Sequence, residues 1–110
     1  DILLALTQES CDKYINRLKN DGLLLADSTN VLKIPDFGGT IYQYPIEEDA
    51  VKVIGNKLVT NIISLGIIVE LTDIVSHDAI KKALLDRIPL RVKELNEKAL
   101  EHGFKVAKKL

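Results

Sequence analysis

Five places in this chain carry residue types that could do chemistry: Cys11, His77, His102, the Gly38-Gly39 pair and the run Asp27-Ser28-Thr29. A thiol turns nucleophilic where a neighbouring base or cation lowers its pKa, and no histidine stands near Cys11 in sequence. Cys11 falls instead with Tyr14, Ile15 and Leu18 at i, i+3, i+4 and i+7, one apolar helical stripe. A small buried hydrophobe is the expected role there. His77 lies just inside a helix start and His102 stands beside a glycine; neither belongs to a metal-ligand spacing, and both are expected at the surface. "FGGT" lacks the following helix that a phosphate loop requires and reads as a turn. Cys11 is the only cysteine. That excludes an internal disulfide, a cysteine-ligated cluster and a structural zinc site, each of which needs several thiolates.

Asp27 and Ser28 are the candidate cofactor-binding residues. They stand at the carboxyl end of a strand expected to be parallel, where open α/β sheets bind ligands and where an acid can hold a ribose. The plainer role is structural, with Asp27 closing or capping the loop that follows. No glycine fingerprint precedes it in this chain.

The elements that must position these residues read as follows. Ile2–Leu6 is an apolar run suited to a strand buried on both faces. Thr7 can N-cap a helix through "ESCDKYINRLKNDG", with Gly22 as its left-handed stop, and "LLLAD" is a second buried strand. Strand, helix, strand makes a βαβ unit with parallel strands and a right-handed crossover. Residues 29–40, with Pro35, Gly38 and Gly39, are loop, and "TIYQYPI" is an edge strand, because Pro45 cannot donate to a ladder. "EEDAVKVIG" is a short helix ending at Gly55. A helix over 56–72 follows, then one N-capped by Ser76 with Ile80, Ala83, Leu84 and Ile88 on one face. Past Pro89 a last helix, 90–102, turns Val92, Leu95 and Ala99 inward and stops at Gly103. The expectation is an α/β, Rossmann-like layered fold with a small, mostly parallel sheet and a helical C-terminal half.

The helix over 56–72 is the least ordinary. From Leu58 to Leu71 it holds nine large apolar residues in fourteen, yet carries Asn61, Ser64 and Glu70. It is too short and too polar for a membrane span, which needs about 20 apolar residues. A helix apolar on nearly all sides is central in a protein or shared between subunits. Asn56 is expected to cap it, Asn61 to be a buried amide held by a neighbouring loop or subunit, and Gly66 to admit another backbone. These three are the interface and structural candidates. Some of Leu58, Ile62, Leu65 and Val69 should remain exposed, so that the isolated chain forms a homodimer.

At 110 residues, 46% hydrophobic and 28% charged, the composition is that of one globular domain with a modest core. The 15 Lys+Arg nearly cancel the 16 Asp+Glu, which leaves no signature of nucleic-acid or membrane-surface binding. Bases crowd the last two helices (Lys81, Lys82, Arg87, Arg91, Lys93, Lys98), a solvated face or a docking surface for an acidic partner. No secretory leader pattern is present, so a cytoplasmic setting is expected. The chain opens directly on the strand-like "DILLAL", from which we expect the C-terminal part of a longer α/β protein, a single domain over 1–110 whose glycine-rich N-terminal part lies upstream.

Taken in order, Gly55-Asn56, Asn61, Leu65-Gly66, Leu71-Thr72, Val75-Ser76, "AIKKALLDRIP" and "VKELNEKALEHGF" resemble the C-terminal half of the gamma subunit of 2-oxoacid:ferredoxin oxidoreductases, of the pyruvate, 2-oxoglutarate and ketoisovalerate type. "DILLALTQESCDKYINRLKNDGLLLADS" resembles the strand–helix–strand segment of the same family. The resemblance implies a noncatalytic subunit of a complex that oxidatively decarboxylates a 2-oxoacid to its acyl-CoA and reduces ferredoxin, with 2-oxoglutarate or pyruvate favoured. It further implies that thiamine diphosphate, magnesium, iron–sulfur clusters and coenzyme A belong to the whole complex, with no catalytic residue and no cofactor on this chain. The partners it implies are alpha and beta subunits, a delta subunit where one exists, and ferredoxin indirectly. The alternative is a nucleotide-binding α/β domain of another enzyme, which would use Asp27.

Overall fold

The computed structural model describes residues 1–110, which form two compact units, Asp1–Glu48 and Asp49–Leu110. In the first, strand β1 (Ile2–Ala5) leads into helix α1 (Gln8–Tyr14) and a 3-10 turn, Ile15–Arg17; strands β2 (Leu23–Asp27) and β3 (Thr40–Tyr44) follow. The three strands are parallel in the order β1-β2-β3, with Ile2 opposite Leu23 and Leu23 opposite Thr40. β3 is the edge strand expected from Pro45. β1 is the other edge, and only its Ala5 is fully buried. The expectation of a strand buried on both faces is therefore not met for Ile2–Leu4, which have a pairing neighbour on one side. A three-stranded sheet makes this α/β fold smaller than the full doubly wound sheet, so "Rossmann-like" fits it loosely.

Thr7 caps α1 as read: its hydroxyl accepts from the Ser10 N–H at 3.1 Å. The helix is shorter than expected, because it tightens into the 3-10 turn and leaves the helix at Leu18 in extended backbone. Gly22 is not its left-handed stop. A side chain there would meet Leu18 Cδ1 at 2.8 Å and the Asp1 carbonyl oxygen at 2.9 Å, so close approach explains the glycine. The stripe works as drawn for Cys11, Ile15 and Leu18, which join Ala5, Leu24, Ala26 and Val31 in one core; Tyr14 lies at its exposed rim. Gln8 pins the long loop: its amide oxygen accepts from the N–H groups of Leu32 and Lys33, and its nitrogen donates to the Lys33 carbonyl. The short helix α2 (Ile46–Asp49) marks the end of this unit.

The second unit begins with a π turn, Ala50–Ile54, closed by Gly55 at φ +90°, the left-handed conformation that glycine takes without steric penalty. Asn56 then caps a 3-10 turn, Lys57–Val59, accepting from the Leu58 N–H at 2.9 Å, and this turn runs into α3 (Thr60–Thr72). Helices α4 (His77–Leu85) and α5 (Leu90–Ala107) complete it. Ser76 caps α4 as expected, accepting from the Ala79 N–H at 3.1 Å.

α3 and α5 cross at glycines. A Cβ on Gly66 would collide with the Leu100 carbonyl oxygen and come within 3.0 Å of Gly103 Cα; one on Gly103 would collide with the Ile63 carbonyl and sit 2.9 Å from Gly66 Cα. Gly66 does admit another backbone, and that backbone is α5. Gly103, expected as a helix stop, instead lies inside a helix that continues to Ala107. Its missing side chain is needed for contact between helices, which outweighs the loss of helix propensity. The polar side chains of α3 are satisfied along the helix itself: Ser64 Oγ donates to the Thr60 carbonyl at 2.8 Å and Thr72 Oγ1 to the Ile68 carbonyl at 2.6 Å. Asn61 is exposed, so there is no buried amide to satisfy. No helix is long and apolar enough to cross a membrane.

Candidate functional site

Two places gather polar side chains in a fixed geometry, one in each unit. The first is the end of β2. Asp27 is fully buried there, and both carboxylate oxygens are in use. Oδ1 accepts from the N–H groups of Thr29 and Ile46 at 3.0 Å each, and Oδ2 from the Glu47 N–H at 3.1 Å. The carboxylate thus folds the loop back on itself and caps the start of α2, supplying acceptors that the first N–H groups of a helix lack. Around it, Ser28 N–H donates to the Tyr44 carbonyl at 2.9 Å, and Asn30 Nδ2 to Glu47 Oε2 at 2.9 Å. A ribose hydroxyl would have to displace one of these bonds. Of the two roles open to Asp27, this geometry is that of the loop-closing one.

The second place is a groove of about 500 Å³ lined by Val53 and Ile54 on one side and by Glu94, Glu97, Lys98, Glu101, His102 and Lys105 of α5 on the other. At its edge His102 Nε2 lies 2.5 Å from Asp49 Oδ2, with the two side chains only 19% and 17% exposed. His102 is therefore not the surface residue expected from its place in the sequence. The pair ties the π-turn segment to α5. Sequence offers no signal for it, since 53 residues separate the partners.

His77 is likewise engaged. Its Nε2 is 2.6 Å from Glu70 Oε2, and its ring stacks on Phe104 at 3.8 Å, nearly parallel. It anchors the start of α4, a helix that buries no residue completely and leans on Ile80 and Leu84. Lys81 adds to this attachment by pairing with Glu101 and, at 3.8 Å, with Glu97. The hydrogen bond to Glu101 raises the Lys81 pKa against a smaller lowering by burial, and the charges of Glu101, Glu97 and Asp78 add to the rise. Lys98 approaches Glu94 at 3.8 Å and Lys108 lies 4.0 Å from Glu70. The basic face is thus laced with acids and is not a uniformly positive docking surface.

None of these groups forms a nucleophile–base pair. Cys11 is buried, and burial first, then the neighbouring Asp12, pushes its thiol above the ordinary value, away from reactivity. No three His, Cys, Asp or Glu side chains cluster as a metal site would require. Asn56 acts as a cap and Gly66 as a crossing point, while Asn61 is exposed, as is Leu58 (80%); the half-buried Ile62 and Leu65 pack against the core of Val69, Leu100 and Phe104.

Residues 1–106 match the family profile "Pyruvate ferredoxin/flavodoxin oxidoreductase". The whole chain is 38% identical to the 2-oxoglutarate synthase subunit KorC of Methanocaldococcus jannaschii and spans 60% of that relative's length. Among solved structures, it superposes with a TM-score of 0.96 and 44% identity on the gamma subunit of a keto/oxoacid ferredoxin oxidoreductase from Geobacter sulfurreducens, covering 65% of that chain. It also superposes, at a TM-score of 0.83 and 24% identity, on one fifth of a chain of the 2-oxoglutarate:ferredoxin oxidoreductase from Magnetococcus marinus (20%), a likeness of fold.

Proposed function

The chain belongs to the pyruvate ferredoxin/flavodoxin oxidoreductase family, and from that premise we propose that it is part of a noncatalytic gamma subunit of a 2-oxoacid:ferredoxin oxidoreductase. The complex releases carbon dioxide from a 2-oxoacid, transfers the acyl group to coenzyme A and passes two electrons to ferredoxin. The favoured substrate is 2-oxoglutarate, in keeping with the KorC relative. Thiamine diphosphate with its magnesium, and the iron–sulfur clusters, sit on the other subunits. The donor set of this chain does not fit a cluster: its one thiol is buried in a core, and a cluster takes about four thiolates.

The observation that carries this reading is the partly exposed edge formed by Leu58, Asn61, Ile62 and Leu65. Leu58 stands just ahead of an apolar helix and is 80% exposed, while Ile62 and Leu65 are half-buried and pack on their inner side against Val69, Leu100 and Phe104. Apolar side chains grouped at the surface mark contact sites, and here the contact is with the alpha or beta subunit. Meanwhile the one buried carboxylate, Asp27, has both oxygens on backbone donors, which disfavours the nucleotide-binding alternative.

The test is reconstitution of the full-length protein. Alone, with 2-oxoglutarate and coenzyme A, it should not reduce ferredoxin or a viologen dye; mixed with the alpha and beta subunits it should support reduction. Turnover by the pure protein would refute the proposal, as would a complex whose activity and assembly are unchanged when the protein is left out.

A further inference from the structure

The wall of the groove in the second unit has a symmetry that neither the fold nor the family reading uses. Of the six α5 residues that line it, Glu94, Lys98, Glu101 and Lys105 alternate in sign, with Glu97 and His102 among them. The midpoint of Glu94 and Lys105 coincides with the midpoint of Lys98 and Glu101, between Ala99 and Leu100. A second α5 laid antiparallel and centred on that point sets Glu94 against Lys105, Lys98 against Glu101 and the same pairs in reverse, with Glu97 opposite His102. A parallel copy in register sets like charge against like. The ladder is thus complementary to itself in the one orientation that a two-fold axis produces.

The groove offers the rest of a contact. Its opposite wall is apolar, and Val53 there is 56% exposed. The ladder is only partly engaged within the chain. The bond between Lys98 and Glu94 is long, and the two side chains are 67% and 87% exposed; such surface pairs contribute little. Glu101 shares its charge with Lys81 yet keeps 42% of its side chain exposed, and Glu97, off the ladder, takes the second contact of Lys81.

We propose that this groove is a self-association site, in which a second copy of the chain docks through its own α5, antiparallel, with the Glu94–Lys98–Glu101–Lys105 ladder selecting the orientation. None of Leu58, Asn61, Ile62 and Leu65, the residues offered to the other subunits, lines this groove, so self-association does not depend on the function assigned above. The expected dimer is reversible, since exposed rim charges set orientation and salt dependence and add little affinity.

Sedimentation equilibrium of the full-length protein tests it, with circular dichroism to follow the fold. The wild type should form a dimer that weakens as salt is raised. Lys98→Glu combined with Lys105→Glu makes the ladder wholly acidic, and Glu94→Lys combined with Glu101→Lys makes it wholly basic. Each double variant alone should associate at least about tenfold more weakly than wild type. Mixed in equal amounts, the two should regain association as a heterodimer, an outcome that loss of helix pairs within the chain cannot produce. Should a double variant lose helical signal, Lys105→Glu alone, at an exposed position, takes its place and should weaken self-association. A monomeric wild type at every concentration, variants that dimerise as wild type does, or a mixture that stays monomeric would each overturn the proposal. So would a groove that binds only another subunit.

Discussion

In the first unit the one buried charge, Asp27, is held by three backbone N–H groups and no cation. In the second, charged groups pair with one another at the surface or near it, as Asp49 does with His102 and Lys81 with Glu101. Its closest internal contact is made by residues with no side chain at all, Gly66 and Gly103. A sheet edge leaves loops whose N–H groups have no ladder partner, and a carboxylate is the compact way to collect several of them. A helix satisfies its own backbone, so what two helices need from each other is proximity, which glycine supplies. Polar chemistry in this chain therefore builds the first unit and decorates the second.

The sharpest way to break that contrast is at the glycine crossing. Replacing glycine by alanine inside an exposed helix raises stability by up to about 1 kcal/mol. At Gly103 the opposite is expected, because the new Cβ meets the backbone of α3. Gly103→Val should cost about 3 kcal/mol, the upper range for overpacking, and Gly103→Ala somewhat less. Urea denaturation followed by helical signal measures both; a stabilised Gly103→Ala would mean that α3 and α5 are not in contact there. Gly55→Ala is the control. Nothing lies within 4 Å of its added Cβ, and its cost is only that of the left-handed backbone, about 1 kcal/mol.

In the first unit the corresponding change is Asp27→Ala. It strips acceptors from the N–H groups of Thr29, Ile46 and Glu47 and should destabilise by about 2 kcal/mol, between the cost of a lost cap and that of buried unsatisfied donors. Asp27→Asn keeps one acceptor oxygen and should lose less. Equal losses for the two variants would mean that the oxygen kept by asparagine recovers none of these bonds.

These two sites also mark what could be read in the sequence. Thr7, Asn56 and Ser76 were legible as caps because a cap is local: the side chain reaches an N–H two or three residues on. The βαβ order and the edge position of β3 followed from apolar runs and Pro45. The role of Gly103 was not legible, since a glycine near a helix end fits a stop as well as a crossing, and only the position of Gly66 on another helix decides between them. Asn61 is exposed where a buried amide was expected, because an amphipathic period says little about a helix that is apolar on nearly all sides, and His102 is half-buried against Asp49, a partner 53 residues away in sequence. Asp27 was legible as a candidate but not in its role, which depends on an N–H donor 19 residues away.

A smaller effect separates the units by pH. The Cys11 thiol has a raised pKa in the fold, so the unfolded chain releases its proton first as pH rises. The stability linked to Cys11 is complete below the ordinary value of 9.0 and is lost as pH climbs from there through the folded pKa. Lys81 behaves with the same sign from its ordinary value of 10.5: the charged form is favoured in the fold, and that contribution is lost only above it. The contribution of Cys11 should therefore begin to be lost at a lower pH than that of Lys81. Unfolding curves of wild type and Cys11→Ala as a function of pH test this, since the variant should lose the earlier part of the decline. Unchanged curves would mean that the thiol does not couple to folding.

The smallest effect on stability belongs to Leu58, and it bears most directly on function. Its side chain is 80% exposed, so Leu58→Ser removes little from the fold, and its effect should stay within about 0.5 kcal/mol. Ile63 and Ile67, on the inner side of the same helix, are fully buried, and Ile63→Ala should cost about 3 kcal/mol. One helix thus carries a face where substitution is felt in folding and a face where it should be felt only in assembly. If Leu58, Asn61, Ile62 and Leu65 form the contact with another subunit, Leu58→Ser should weaken copurification with the alpha and beta subunits while its melting curve overlays that of wild type. Ile63→Ala should do the reverse, lowering the melting curve and leaving assembly intact below it. A Leu58→Ser protein that assembles as wild type does would remove this face from the interface and leave the groove of α5 as the second unit's remaining site of association.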